Sequence, residues 1–174
     1  MQRFWRIVLI FAAVVAVVAA TGLGMAYSLG AFAEQGRFTA VPGCEVLDRA
    51  TVAPVVANAE VEADGDNCTA TDGQVQINVG YTLVSKRGTV GGPELASRFL
   101  DAVGGGGTES LSGVGDQAIR QRMQAIGSPQ VITMRVSNLI VVLSVVNLGG
   151  GELPASAEDG LVQVATALGT RLSA

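Results

Sequence analysis

Not one histidine occurs in the 174 residues. This removes histidine-based triads, the usual zinc sites and the commonest general base. G-x-S-x-G is also absent, and with it the nucleophile elbow of serine hydrolases. Lys86 is the single lysine, and the ten arginines form no basic run of the kind nucleic-acid binding needs. Only Cys44 and Cys68 carry thiols, too few without histidine to complete a metal or redox motif. Aromatic residues make up 5%, so the positive mean hydropathy of +0.44 comes from Ala, Val and Gly, and in part from one N-terminal run.

That run is residues 7–33, IVLIFAAVVAVVAATGLGMAYSLGAFA, uncharged and directly behind the basic start MQRFWR. As a helix it would span roughly 40 Å against a hydrocarbon core of about 30 Å. Arg3 and Arg6 precede it, and Glu34 and then Arg37 follow. The positive-inside rule therefore puts the N-terminus in the cytoplasm and the C-terminal part outside the plasma membrane, in a single pass. Phe4 and Trp5 suit one interface belt, Tyr27 and Phe32 the other. The expected organisation is a cytoplasmic N-terminus (1–6), a transmembrane anchor whose partner is the lipid bilayer (7–33), a linker (34–43) and an extracytoplasmic domain (44–174).

Ala31-Phe32-Ala33 also matches a signal-peptidase site, which leaves a secreted form cleaved after Ala33 as the alternative. Against it, the apolar run is about twice the usual h-region of 7 to 15 residues. A lipoprotein fits less well: Val41, Pro42 and Gly43 precede Cys44, but EQGR separates that cysteine from the apolar run. Ala12, Ala16, Ala20, Gly24 and Ser28 line one helix face with small residues, the pattern through which a homodimer of transmembrane helices would pack.

Beyond residue 33 the chain holds 9 basic against 15 acidic residues, a net of −6. An acidic exterior disfavours nucleic acid and anionic surfaces. Both cysteines fall on this side, where an oxidising compartment predicts a Cys44–Cys68 disulfide. Closing a loop of about 25 residues stabilises by roughly 3.5 kcal/mol on the chain-entropy account.

The pattern then predicts an apolar turn at Cys44, Val46 and Leu47, and a helix capped by Thr51 running to Ala57. A polar acidic loop over Glu60–Asn67 follows. Asp72-Gly73 joins two strands, Cys68–Thr71 and Gln74–Val84. Pro93 opens a helix ended by Gly104, with Leu95, Phe99, Ala102 and Val103 as its inward face. A flexible glycine loop at Gly104–Gly107 precedes a strand over Ala118–Ala125. The clearest hairpin pairs Val131–Val136 with Leu139–Leu148 around Ser137-Asn138, and Ser156 caps a last helix with Leu161, Val164, Ala165 and Leu168 inward. Sheet plus separate helices reads as α+β, an antiparallel sheet with helices packed on it.

Gly113, Gly115 and Ala118 match G-x-G-x-x-A, but no buried strand precedes them and no amphipathic helix follows, so a glycine turn is the better reading. Glu60, Glu62 and Asp64 followed by Gly65 imitate half a calcium loop. Thr71 stands where the bidentate Glu belongs. Asn67-Cys68-Thr69 fits the glycosylation pattern, with a bridged cysteine in the way. Arg120, Arg122 and Arg135 are expected on adjoining strands, where they could bind an anion or, the better reading, pair with nearby acids. Asp116 is the best-placed catalytic carboxylate, and no partner at a diagnostic spacing supports it. The chain therefore reads as no enzyme, with no metal and no cofactor.

Pro42-Gly43-Cys44-Glu45-Val46-Leu47, a second cysteine ahead of a hairpin, Gly113-Val114-Gly115-Asp116-Gln117-Ala118, and an apolar hairpin before a last helix carry a resemblance. From Pro42 on, the chain resembles small extracytoplasmic domains of actinobacterial cell-envelope proteins, many of them lipoproteins of unknown function. The resemblance implies an α+β sandwich like those of sensor and ligand-binding domains. The chain departs from it in lacking a lipobox and any tryptophan beyond Trp5. The expected function is a membrane-anchored, non-catalytic module that binds an unknown small molecule or envelope protein, or an accessory subunit of a membrane complex.

Overall fold

A computed structural model describes residues 33–65, 67–123 and 129–174. The expected membrane span lies outside them except for Ala33, and among the described residues no helix is long and apolar enough to cross a membrane. The described chain is α+β: seven antiparallel strands in one sheet, with three α-helices. The strands are β1 (Glu60–Asp64), β2 (Asn67–Thr71), β3 (Val75–Leu83), β4 (Thr108–Leu111), β5 (Gln117–Arg122), β6 (Gln130–Val136) and β7 (Leu139–Asn147). They lie in the order β1-β2-β3-β7-β6-β5-β4. The helices are α1 (Arg49–Val52), α2 (Gly92–Val103) and α3 (Ala155–Ser173), with a 3₁₀ turn at Cys44–Val46.

β3 and β7 pair over nine positions, from Val75↔Asn147 to Leu83↔Leu139, and form the centre of the sheet. Period-2 alternation sends Ile77, Val79 and Tyr81 of β3 and Leu139, Val141, Leu143 and Val145 of β7 to one face, where all are buried. Ile132, Met134 and Val136 join them from β6. Over this face lies α3, whose Leu161, Val164, Ala165 and Leu168 have no exposed surface, as the sequence pattern predicts. Each of the leucines adds about 1.5–3 kcal/mol of burial.

The opposite face is only partly covered. Gly92, Ala96 and Leu100 of α2 are buried there, and Ala96 and Leu100 form a small second core with Ile140. The expected inward stripe of α2 is thus rotated: Phe99 is 48% and Val103 41% exposed, and Ala102 is exposed as well. The reason is steric. Gly92 and Ala96 are small enough to bring the helix down onto the sheet, and the bulky Phe99 is left at its flank.

Three other expectations are corrected. The first helix is capped by Asp48, whose carboxylate accepts from the N–H and hydroxyl of Thr51 at 2.8 and 2.6 Å. It ends at Val52 because Pro54 cannot continue it. The acidic stretch Glu60–Asn67 is not a loop but most of the β1–β2 hairpin, turning at Gly65. Exposed Glu60 and Glu62 are tolerated because β1 is the sheet edge, where charge blocks pairing with a further strand. At the other edge, Thr108–Leu111 is a short strand. The last helix begins after Pro154 with no side-chain cap, so Ser156 sits inside its first turn.

The Cys44–Cys68 disulfide is formed, with Cα atoms 5.6 Å apart, and ties the 3₁₀ turn to β2. Residues 34–43 have little regular structure, yet several of them are bonded to the body. Gly92 N–H donates to the Glu34 carbonyl at 2.9 Å. Arg37 N–H donates to Ser137 Oγ at 2.9 Å, and its guanidinium reaches the carbonyls of Leu172 and Ser173 at the end of α3. That places a cation at the negative end of a helix dipole. Asn138, fully buried, accepts from Phe38 N–H and donates to Phe38 O, both at 2.9 Å, and also donates to Val84 O at 3.2 Å.

Candidate functional site

The residues first suspected of chemistry turn out to hold the fold. Arg120 pairs with Glu109, Arg122 with Glu158, and Arg135 with Asp116. Asp116 also accepts from Ser137 N–H at 2.6 Å, so it fastens the β6–β7 turn. The G-x-G-x-x-A stretch joins β4 to β5, with no helix after it. Its second glycine has φ +56, and a Cβ there would stand 2.6 Å from Arg135 O. A Cβ on Gly169 of α3 would stand 2.8 Å from Gly115 N, so glycine meets glycine where the helix rests on the turn. Among the described residues no group of three or more acidic or cysteine side chains is placed to hold a metal.

Charge perturbations are structural too. Hydrogen bonds from Arg171, then from Thr51, hold Asp48 well below the usual carboxylate range. Asp72, in the β2–β3 turn, is lowered by the N–H groups of Val75 and Gln74. Burial pushes the Tyr81 hydroxyl up to about 12, with Glu45 adding to it, and among the described residues that hydroxyl has no hydrogen-bond partner.

What the structure does assemble is apolar. On the face opposite α3, between α2 and the β3–β7 pair, a cleft of about 290 Å³ is lined by Thr82, Val84, Leu95, Phe99, Ile140 and Val142. Thr82 is its single polar side chain. Val142 is 37% exposed although it sits in the most hydrophobic strand. The cleft continues into a polar shelf of about 350 Å³ that shares Thr82 and Val142 and adds Asn67, Asn78, Gly80 and Ser144. On this shelf Asn78 Oδ1 accepts from Gln76 at 2.7 Å and Thr69 at 3.3 Å.

Sequence reasoning assigned Leu95 and Phe99 to the core and did not single out Val142. The signal was present in two places. Helix α2 carries more apolar residues than one buried stripe holds, and LIVVLSVV is apolar at both parities of the strand, so one set must face away from the main core. No protein-family model, curated protein or solved structure matches this chain.

Proposed function

We propose that the chain is a single-pass plasma-membrane protein presenting its α+β body to the cell exterior as a non-catalytic ligand-binding or sensing module of the cell envelope. The observation that carries this reading is the apolar cleft. Phe99 and Val142 keep exposed apolar surface that meets in its lining, as in a small-molecule site. Catalysis finds little support by comparison, since Glu109, Asp116 and Glu158 are each paired with an arginine.

Cysteine labelling of intact cells tests the topology, because the native cysteines are bridged and silent. An impermeant maleimide is expected to reach Ser85→Cys and to spare Gln2→Cys. The reverse pattern would overturn the orientation. A secreted form cut after Ala33 is the second reading, favoured by the junction itself: the Glu34 carbonyl is already bonded to the body at Gly92. N-terminal sequencing of the mature protein separates the two, as a mature chain starting at Glu34 means release.

A further inference from the structure

We propose that the cleft and its shelf together bind an amphiphile with one apolar chain and an uncharged, hydrogen-bonding head, taken from the outer leaflet of the membrane. The inference rests on the anchored reading above and adds the ligand's chemistry, source and orientation.

The lining settles the chain. Five of its six side chains are hydrocarbon and none is charged, so the cleft offers dispersion contacts and removal of apolar surface from water, with almost nothing to orient a polar group. At about 290 Å³ it lies at the floor of the range for small-molecule sites, roughly 300–1,000 Å³. It therefore holds one part of a ligand, and the remainder must lie beside it.

The shelf describes that remainder. Asn67, Asn78, Ser144 and Thr82 are amides and hydroxyls, and among the described residues that line it the inward-facing Tyr81 alone is ionisable, with Glu62 one strand further out opposite Thr69. With Asn78 Oδ1 occupied by Gln76 and Thr69, its amide N–H groups remain as donors. Such a surface suits hydroxyls of a neutral head. The net charge of −6 beyond residue 33 disfavours an anionic one.

Position gives the source and the direction. The uncharged run ends at Ala33. Lys86 Nζ lies 3.4 Å from the Ala33 carbonyl, and Gly92 N–H bonds Glu34. A Cβ on Gly92 would touch both Gln35 O and Val84 O, at 2.3 and 2.7 Å, so the incoming chain lies directly against the Val84 end of the cleft. Leu95 follows one turn up α2, while Phe99 and Val142 lie further along toward the shelf. An anchored body thus holds the apolar end of the groove next to the bilayer and the polar end away from it. A lipid of the outer leaflet has the same polarity, chain inward and head outward.

The test uses the full chain in vesicles of phosphatidylethanolamine and phosphatidylglycerol, doped with an alkyl glucoside whose chain ends in a diazirine. Photolabelling is expected on Gly92–Val103 and Leu139–Asn147. Shorter unlabelled alkyl glucosides, compared at equal free aqueous concentration, should compete about fourfold less well per methylene removed. The Phe99→Ser/Val142→Ser variant should lose labelling of both elements about fifteenfold, roughly two methylenes' worth of contact. Both side chains are already partly exposed, so the core is untouched, and an unchanged melting temperature checks this. A fatty acid with the same diazirine tail should label at least tenfold less, and equal labelling overturns the neutral head. Labelling confined to residues 7–33, or unaffected by the double variant, overturns the cleft as a lipid site while leaving the anchor intact. Failure of a diazirine phospholipid to label residues 7–33 at all sinks the anchored reading itself. Phe99→p-benzoylphenylalanine in the same vesicles reports the occupant directly: a lipid adduct supports the proposal, whereas cross-links to residues 1–32 or to a second copy overturn it.

Discussion

Replacing Asn138 by alanine removes the side chain that joins residues 34–43 to the sheet. Its amide makes three hydrogen bonds, to Phe38 N–H, Phe38 O and Val84 O, from a site with no exposed surface. Each neutral hydrogen bond contributes about 1 kcal/mol net, and buried groups left unpaired cost more. Release of the segment recovers some chain entropy, which limits the loss. We expect a destabilisation of about 2–4 kcal/mol. Urea unfolding of the full chain measures it, and hydrogen exchange at the Phe38 amide shows whether the segment has come free. The isosteric Asn138→Asp separates geometry from donor chemistry. It keeps the acceptor for Phe38 N–H and sets a carboxylate against two carbonyl oxygens. Burial beside those oxygens raises the folded-state pKa of the introduced acid. The stability of that variant should therefore be highest below the ordinary carboxylate range and fall as pH rises through it. An Asn138→Ala loss below about 1 kcal/mol with Phe38 still protected from exchange would refute the clasp.

Three further outcomes follow from the same physics. Reducing the Cys44–Cys68 bridge, which spans 24 positions, should lower stability by roughly 3.5 kcal/mol; uptake of an alkylating agent by both cysteines without reductant would show that no bridge exists. Tyr81→Phe deletes an unpartnered buried hydroxyl and should stabilise by about 1 kcal/mol at pH 7. In the parent protein the raised tyrosine pKa makes stability complete below about 10 and lost as pH climbs through about 12, and the variant should lack that alkaline decline in a thermal-melt series. Gly169→Ala gains up to about 1 kcal/mol of helix propensity but drives a methyl to 2.8 Å from Gly115 N, so a net loss of about 1 kcal/mol is expected, and a gain in melting temperature would contradict the close approach.

Where one local signal decided the outcome, the sequence was readable. The β3 and β7 strands follow from alternation, α2 from Pro93 and Gly104, and the buried stripe of α3 from its 3.6-residue spacing. Arg120, Arg122 and Arg135 pair with acids as expected, although only Glu109 lies on a neighbouring strand, Asp116 being in the β4–β5 turn and Glu158 on α3. Misreadings arose where a partner distant in the chain decides. Glu60–Asp64 has the composition of a loop and becomes a strand because Cys68, held by its bridge, presents β2 for pairing. The rotation of α2 depends on which of its faces is small enough to approach β6 and β7. Asn138 stands in the β6–β7 turn as expected, but no local pattern reveals that its side chain also binds a segment a hundred positions earlier.

That hidden contact bears most on function. Residues 34–43 were expected to be a linker, and a linker would let the body turn freely and make the facing of its cleft irrelevant. The clasp at Asn138, the Arg37 contacts at the end of α3 and the Gly92–Glu34 bond leave no slack at the beginning of that stretch. Ala33 and Glu34 are themselves bonded to the body, at Lys86 and Gly92. In an anchored protein, the cleft then has a fixed relation to the bilayer, and weakening Asn138 should lower photolabelling of the cleft even though Asn138 does not line it. Labelling that survives Asn138→Ala at full strength, in a protein still folded, would mean that the cleft finds its ligand through the chemistry of its lining alone, without help from the junction.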